Sequence, residues 1–254
     1  MSAPVTPAPE TLSSGQPPLS EPQRILNMFY APSTTFEDIK RNAKWWGPLL
    51  LMIVMSYAGV FTLQKKISSE DMVESIMANM SEKQKANIEA APPERQAGIR
   101  KQIAMNVKIF SYAGWVIYII VALIIAVALM ATFRFALGKE IGYGISLAIV
   151  FYAFVPALLR SVLFIVTLFA GVDPANFNIE NPVATNPAFF MNKNDMPVLY
   201  PLLQTLDIFT IWTTILMGIG FAVVTKTKKS TGIGVVAGWL VVVTIFKMGF
   251  AAIF

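Results

Sequence analysis

Long apolar runs that hold at most one charged residue each alternate with polar segments along this chain, and five of the runs are long enough to cross a lipid bilayer. They cover residues 45–63, 109–133, 143–172, 203–225 and 231–254. A helix needs about 20 mostly apolar residues to cross about 30 Å of hydrocarbon. The pattern therefore predicts an all-α fold, a polytopic membrane helical bundle with five transmembrane helices.

The polar segments divide the rest of the chain. Residues 1–22 are rich in Pro, Ser and Thr and have almost no bulky apolar side chains, so we expect a disordered N-terminal tail. Residues 23–44 form an amphipathic juxtamembrane region, and residues 45–254 form the five-helix transmembrane domain. Within that domain, residues 64–108 are a helical insertion between the first two spans. This insertion is too short for a large core, so we expect a small helical extracytoplasmic cap.

Two capping-box patterns predict helix starts in these polar segments. Thr34 is followed three residues later by Glu37, and Ser81 is followed three residues later by Gln84. In such a pair the hydroxyl accepts from the backbone N–H of the third helical residue, whose side chain accepts in return. We therefore predict N-caps at Thr34 and Ser81.

Basic and aromatic side chains are concentrated where the juxtamembrane region meets the first span. Cations at this place favour anionic lipid headgroups, and tryptophan rings favour the membrane interface. The alternative is an ordinary solvated juxtamembrane helix. The residues of the predicted interfacial anchor are Lys40, Arg41, Lys44, Trp45 and Trp46.

Composition excludes several kinds of chemistry. Only 14% of the residues are charged and 55% are hydrophobic, and the chain contains no cysteine and no histidine. Disulfides, thiolate catalysis, Cys/His zinc sites and imidazole bases each require the missing side chains. The net charge of +5 is spread among loops of both signs, which does not indicate a nucleic-acid surface. We expect no enzyme activity, no cofactor and no metal.

Loop charges predict the orientation. The short loops after the second and fourth runs carry lysines (Lys139, Lys226, Lys228 and Lys229), whereas the loop after the third run is net acidic. The basic residues of the 64–108 insertion would by themselves indicate the opposite orientation, but they are accompanied by acids. The positive-inside rule then predicts a cytoplasmic N-terminus and an extracytoplasmic C-terminus in the cytoplasmic (inner) membrane.

Three ionisable residues lie inside apolar runs. Asp207 is in the fourth run, Arg160 in the third and Lys247 in the fifth. An unpaired charge in hydrocarbon is costly, and all three fall in the predicted outer half of the membrane. We predict an intramembrane polar cluster in which Asp207 pairs with one of the cations and leaves one positive charge for an anion. The alternative is that the three residues only pin helices together and extend toward water.

The last run contains Gly234 and Gly238, four residues apart. Small residues at this spacing allow two membrane helices to approach closely. We therefore predict that these two glycines lie at a helix-packing surface.

One set of residues, in order along the chain, carries a resemblance to a known family. Its members are Phe29, Pro32, Ser33, Thr35, Phe36, Ile39, Trp45, Trp46 and Pro48, then Asn181, Pro182, Asn186, Asp207, Ile208, Phe209, Ile211, Trp212, 218–221 and the final span that contains Lys247. This set resembles the Yip (Ypt-interacting protein) domain family, in its bacterial members, over nearly the whole chain after Gln23. The resemblance implies a five-span membrane protein with a cytosolic N-terminus, and it implies no catalytic residues. Eukaryotic members of the family bind prenylated Rab-type GTPases and act in vesicle traffic and membrane shaping.

Two functions remain open at this point. The first is a non-enzymatic integral membrane protein that organises membrane or partner proteins. The second is a small transporter or channel for an ion or anionic solute that uses Arg160, Asp207 and Lys247. The partners expected are the lipid bilayer, with anionic lipid, other membrane proteins and a second copy of the chain as further candidates, and no nucleic acid.

Overall fold

A computed structural model describes residues 17–171 and 177–253, and within these ranges the regular structure is entirely helical. A π-helical turn, Thr132–Ala136, continues α6, and a short 3-10 helix spans Pro187–Phe190. The α-helices are α1 (Glu21–Tyr30), α2 (Pro32–Arg41), α3 (Trp46–Lys66), α4 (Ser69–Ala78), α5 (Glu82–Glu89), α6 (Pro93–Ala131), α7 (Tyr143–Ala153), α8 (Ala157–Ala170), α9 (Tyr200–Thr205), α10 (Ile208–Thr225) and α11 (Lys229–Ile253).

Five helical segments of the described chain are long and apolar enough to span a membrane. They are Trp46–Lys66, Pro93–Ala136, Tyr143–Ala170, Ile208–Thr225 and Lys229–Ile253. The predicted all-α bundle with five membrane-spanning helices is confirmed. Of the predicted N-terminal tail, residues 1–16 lie outside the described residues, and α1 already begins at Glu21.

Several helix starts follow local capping chemistry. Capping boxes begin α1 at Ser20, α4 at Ser68 and α5 at Ser81, which confirms the prediction for Ser81. The prediction for Thr34 is wrong, because α2 already begins at Pro32. Proline suits the first turn of a helix, where its missing N–H has no intrahelical partner.

The insertion between the first two spans is built on one long helix. With 39 residues and a rise of about 1.5 Å per residue, α6 is about 58 Å long. This is about twice the hydrocarbon thickness, so one end must extend beyond the membrane. Helices α4 and α5 pack against α6. The segment after α8 joins them, because the Ser75 hydroxyl donates to the Phe177 carbonyl.

Helix α7 lies at the centre of the bundle. All of its residues from Ser146 to Ala153 are buried, and α1, α2, α3, α6 and α10 pack around it. The N-terminal hairpin formed by α1 and α2 belongs to this core, since Met28, Phe36 and Ile39 are 0% exposed. Residues 23–41 are therefore docked into the bundle by their apolar face.

Two glycines allow α10 and α11 to approach closely. A Cβ built on Gly218 would lie 2.4 Å from the Ile233 Cα, and one on Gly232 would lie 2.2 Å from the Gly218 carbonyl oxygen. Within the described residues, a Cβ on Gly234 or Gly238 would meet no atom within 4 Å. The close approach inside this chain is thus made by Gly218 and Gly232. Gly234 and Gly238 are exposed on another side of α11.

Candidate functional site

A buried ion pair joins the two helices of the N-terminal hairpin. The Arg24 Nε donates to Asp38 Oδ2 at 2.7 Å, and the Arg24 Nη2 lies 2.6 Å from the same oxygen. The side chains of Arg24 and Asp38 are 1% and 0% exposed. Charges removed from water in this way are stable only when they are closely paired and hydrogen-bonded. Arg24 and Asp38 therefore hold α1 and α2 in one relative position.

Three further side chains complete this polar network. The other Asp38 oxygen accepts from Arg41 Nη2 at 3.1 Å. The Glu21 Oε1 lies 3.4 Å from the Arg24 Nη1, and the Glu21 Oε2 accepts a hydrogen bond from the Tyr152 hydroxyl at 2.5 Å. Because Tyr152 belongs to α7, the network ties the hairpin to the centre of the bundle.

Arg24 has the properties of a permanent structural cation. Burial by itself would lower the pKa of Arg24, but contacts with Tyr152 and Asp38 outweigh it and raise the pKa above its usual value. The Arg24 carbonyl also accepts from the Thr35 hydroxyl at 3.0 Å, a second bond between the two helices. Arg24 thus stays charged and stabilises the hairpin by both its side chain and its backbone.

Sequence reasoning missed this network. Arg24 and Asp38 are 14 residues apart on separate helices. The available signal was limited to Arg24, which shares a helix face with Met28 four residues later, whereas Asp38 shares its face with the polar residues Thr35 and Arg41. A charge placed among core positions requires a partner, and a hairpin turning at Pro32 brings these two together.

The predicted interfacial anchor lies at the end of this hairpin. Lys40, Arg41 and Lys44 are exposed, as is Trp46, which is 51% exposed. Trp45 instead stacks on Phe151, with ring centroids 5.2 Å apart. The structure therefore brings the basic side chains together at one exposed edge and uses one tryptophan for packing.

Asp207 is a helix N-cap. Its Oδ1 accepts from the backbone N–H groups of Phe209 and Thr210 at 3.0 Å each, and its Oδ2 accepts from the Thr185 hydroxyl. A carboxylate in this position is stabilised by unpaired N–H groups and by the helix dipole. The predicted fourth span thus begins after Asp207, and α9 is a separate short helix.

A pair of amides lies in the same loop as Thr185. Asn181 and Asn186 donate to each other's side-chain oxygen at 3.1 and 2.8 Å. Both are buried, as is the neighbouring Tyr200. In the described part of the chain, no buried side-chain nitrogen or oxygen lacks a hydrogen-bond partner. These groups therefore order the loop that leads into α10.

The structure does not bring the predicted intramembrane cluster together. Arg160 is half-buried on α8 and Lys247 is exposed on α11. Across residues 17–171 and 177–253, neither cation forms an ion pair with Asp207. Capping N–H groups and the Thr185 hydroxyl satisfy the carboxylate instead. In the part of the chain that the structure describes, no contact of these three residues favours a transporter.

These features define a class of protein: a polytopic helical membrane protein whose buried polar groups join helices. Within the described ranges, no group of three or more Asp or Glu side chains could hold a metal ion. The chain belongs to the Yip1 domain family, whose model matches residues 26–251, and the resemblance noted from the sequence is confirmed. This is a family of non-enzymatic membrane proteins. Comparison with curated proteins and with solved structures gives no match.

Proposed function

We propose that this protein is a non-enzymatic membrane organiser that gathers anionic lipid around one end of its helical bundle. The observation that carries the proposal is the placement of Lys40, Arg41 and Lys44 at an exposed edge beside Trp46. The Arg24–Asp38 pair fixes the backbone of α2, which carries Lys40 and Arg41, so less of the chain has to be ordered when lipid binds.

Further cations extend this edge. The turns after α6 and after α10 lie at the same end of the bundle as the start of α3, because successive spans alternate in direction. We call the combined set the basic face. Each cation near an anionic membrane surface contributes about 1 kcal/mol of attraction. The basic face consists of Lys40, Arg41, Lys44, Arg134, Lys139, Lys226, Lys228 and Lys229.

The basic face also supports an orientation. Lysine and arginine near span ends are retained on the cytoplasmic side, so we place the N-terminus in the cytoplasm and the C-terminus outside, in the cytoplasmic membrane. The cytoplasmic leaflet is the one that presents anionic headgroups at its surface. Both arguments favour contact between the basic face and such lipids.

The test is lipid selectivity around the full-length protein in vesicles. Spin-labelled phosphatidylglycerol and phosphatidylcholine are compared by electron spin resonance for their association with the protein surface. We expect a preference for phosphatidylglycerol that weakens as the salt concentration rises from 0.1 M to 1 M, because the Debye screening length falls from about 10 Å to about 3 Å. Equal association of the two lipids would refute the proposal.

A matched pair of variants locates the effect. Lys40→Gln combined with Lys44→Gln removes two cations from the basic face. Lys65→Gln combined with Lys66→Gln removes two cations from the opposite end of α3. We expect the first pair to reduce the selectivity and the second to preserve it. The reverse result would place the lipid contact at the other end of the bundle.

A further inference from the structure

A cleft of about 400 Å³ lies within the basic face, between the end of α2, the π-helical turn and the end of α10. We propose that this cleft binds one anionic glycerophospholipid by its phosphate and headgroup hydroxyls. The inference rests on the proposed function and adds a defined site to it. The residues that line the cleft are Lys40, Arg134, Glu140, Ile141, Gly142, Ile145 and Val224.

The charges of the cleft suit a phosphodiester. Lys40 and Arg134 come from helices far apart in sequence, and in the described ranges neither forms an ion pair. Glu140 lines the same cleft without a salt bridge to either one. Two cations and one carboxylate leave a single positive charge, which matches the single negative charge of a phosphodiester. Arginine and lysine are the usual donors to phosphate oxygens.

The π-helical turn fixes Arg134 at the rim. Phe133 is buried and stacks on Phe221 with ring centroids 4.8 Å apart, so the residue before Arg134 is anchored in the core. Two residues after the turn comes Gly138, whose φ of 62° lies in the left-handed region that favours glycine. The Lys139 N–H then donates to the Phe133 carbonyl at 2.9 Å. These contacts hold the backbone on both sides of Arg134.

Lys40 is fixed from the other side of the cleft. It follows Asp38 and Ile39 on α2, and both of these side chains are 0% exposed. Phe36 packs so closely on α10 that a Cβ built on Gly220 would lie 2.8 Å from the Phe36 ring. The cation thus projects from a helix whose position the core determines.

The surroundings indicate a lipid rather than a soluble phosphate. Phe135 follows Arg134 and is 84% exposed, which suits an acyl chain or the membrane interface better than water. Ile141 and Val224 form a buried apolar floor. Glu140 can accept from headgroup hydroxyls, which phosphatidylglycerol carries and phosphatidylcholine lacks.

The experiment is native mass spectrometry of the full-length protein in detergent, with phosphatidylglycerol or phosphatidylcholine added. A third arm adds sn-glycerol 3-phosphate to test a soluble phosphate. Wild type is compared with Lys40→Gln/Arg134→Gln and with the control Lys228→Gln/Lys229→Gln, which removes the same charge from the basic face outside the cleft. All four side chains are exposed, so the fold should survive, and thermal unfolding checks this.

We expect one phosphatidylglycerol to be retained by wild type and by the control, and retention to fall about tenfold or more in the cleft variant, because only that variant loses charge-assisted hydrogen bonds to the phosphate. Equal loss in both variants would overturn the site but leave the lipid-gathering function standing. Retention of phosphatidylcholine as strong as that of phosphatidylglycerol would overturn the headgroup assignment. If sn-glycerol 3-phosphate at equal concentration displaced phosphatidylglycerol from the protein, the proposal that the cleft binds a lipid would be wrong. Absence of any salt-sensitive lipid preference in the resonance experiment is the separate result that refutes the proposed function.

Discussion

Removing Arg24 should release the N-terminal hairpin from the bundle. In Arg24→Met, a side chain of similar length keeps the apolar contacts and loses the charge. Among the described residues, the side chain of Asp38, which is 0% exposed, then keeps an ion pair only with Arg41, whose side chain is 37% exposed, at 3.1 Å. The substitution therefore leaves a nearly uncompensated carboxylate in the core.

The expected cost follows from this geometry. Breaking a buried pair by removing one partner costs about 3–5 kcal/mol. Because Arg41 still contacts Asp38, we expect a value near the lower limit, about 3 kcal/mol. Each 1.4 kcal/mol is a factor of ten, so the population of the undocked hairpin should rise about a hundredfold or more.

The absence of cysteine from the chain makes this change measurable. Met28→Cys places a single thiol on α1, at a position that is 0% exposed in the docked hairpin. The rate of labelling by a maleimide then follows the undocked population when reclosing is fast. We expect labelling to be about a hundredfold faster when Arg24→Met is added to Met28→Cys.

Two controls separate the ion pair from general destabilisation. Asp38→Leu added to Arg24→Met removes the unpaired carboxylate and should restore most of the protection, since buried ion pairs can often be replaced by apolar groups. Arg100→Gln breaks an exposed pair with Glu74 and should change labelling little. The reasoning would be refuted if Arg24→Met left the labelling rate unchanged, or if adding Asp38→Leu to Arg24→Met did not slow the labelling.

Further predictions concern thermal unfolding in detergent. Gly218→Ala should cost about 1–3 kcal/mol, because the added methyl group meets the Ile233 backbone, whereas Gly234→Ala should be neutral or slightly stabilising. A loss from Gly234→Ala as large as that from Gly218→Ala would point to a second packing surface. Asp207→Ala should cost about 2 kcal/mol through loss of the N-cap. Arg160→Gln should change stability by less than about 0.5 kcal/mol; a cost that becomes smaller when Asp207→Ala is already present would show that the two side chains interact.

Local pattern was enough to predict the number and type of membrane helices. Each spanning helix satisfies its own backbone hydrogen bonds, so length and hydropathy alone identify it. The same holds for the helix start at Ser81, because a capping box uses only residues within one turn. The family could also be identified, since its features follow one another in order along the chain.

The partners of the charged residues could not be predicted in this way. Asp207 in an apolar run suggested pairing with Arg160 or Lys247, but it lies at a helix start, where backbone N–H groups are nearer than any cation. The sequence made clear that the carboxylate of Asp207 needs a cation or hydrogen-bond donors. Which group supplies them depends on where the helix begins and on how the neighbouring helices are rotated.

The amino-acid sequence by itself determined that this chain is a five-span helical membrane protein, because hydropathy and capping act over one helix at a time. Only the tertiary structure decided that Arg24 pairs with Asp38 and that Gly218, rather than Gly234, meets a neighbouring helix. Both outcomes depend on the rotation of whole helices about their axes. That rotation is determined by packing between segments far apart in the chain, so spacing within one segment does not reveal it.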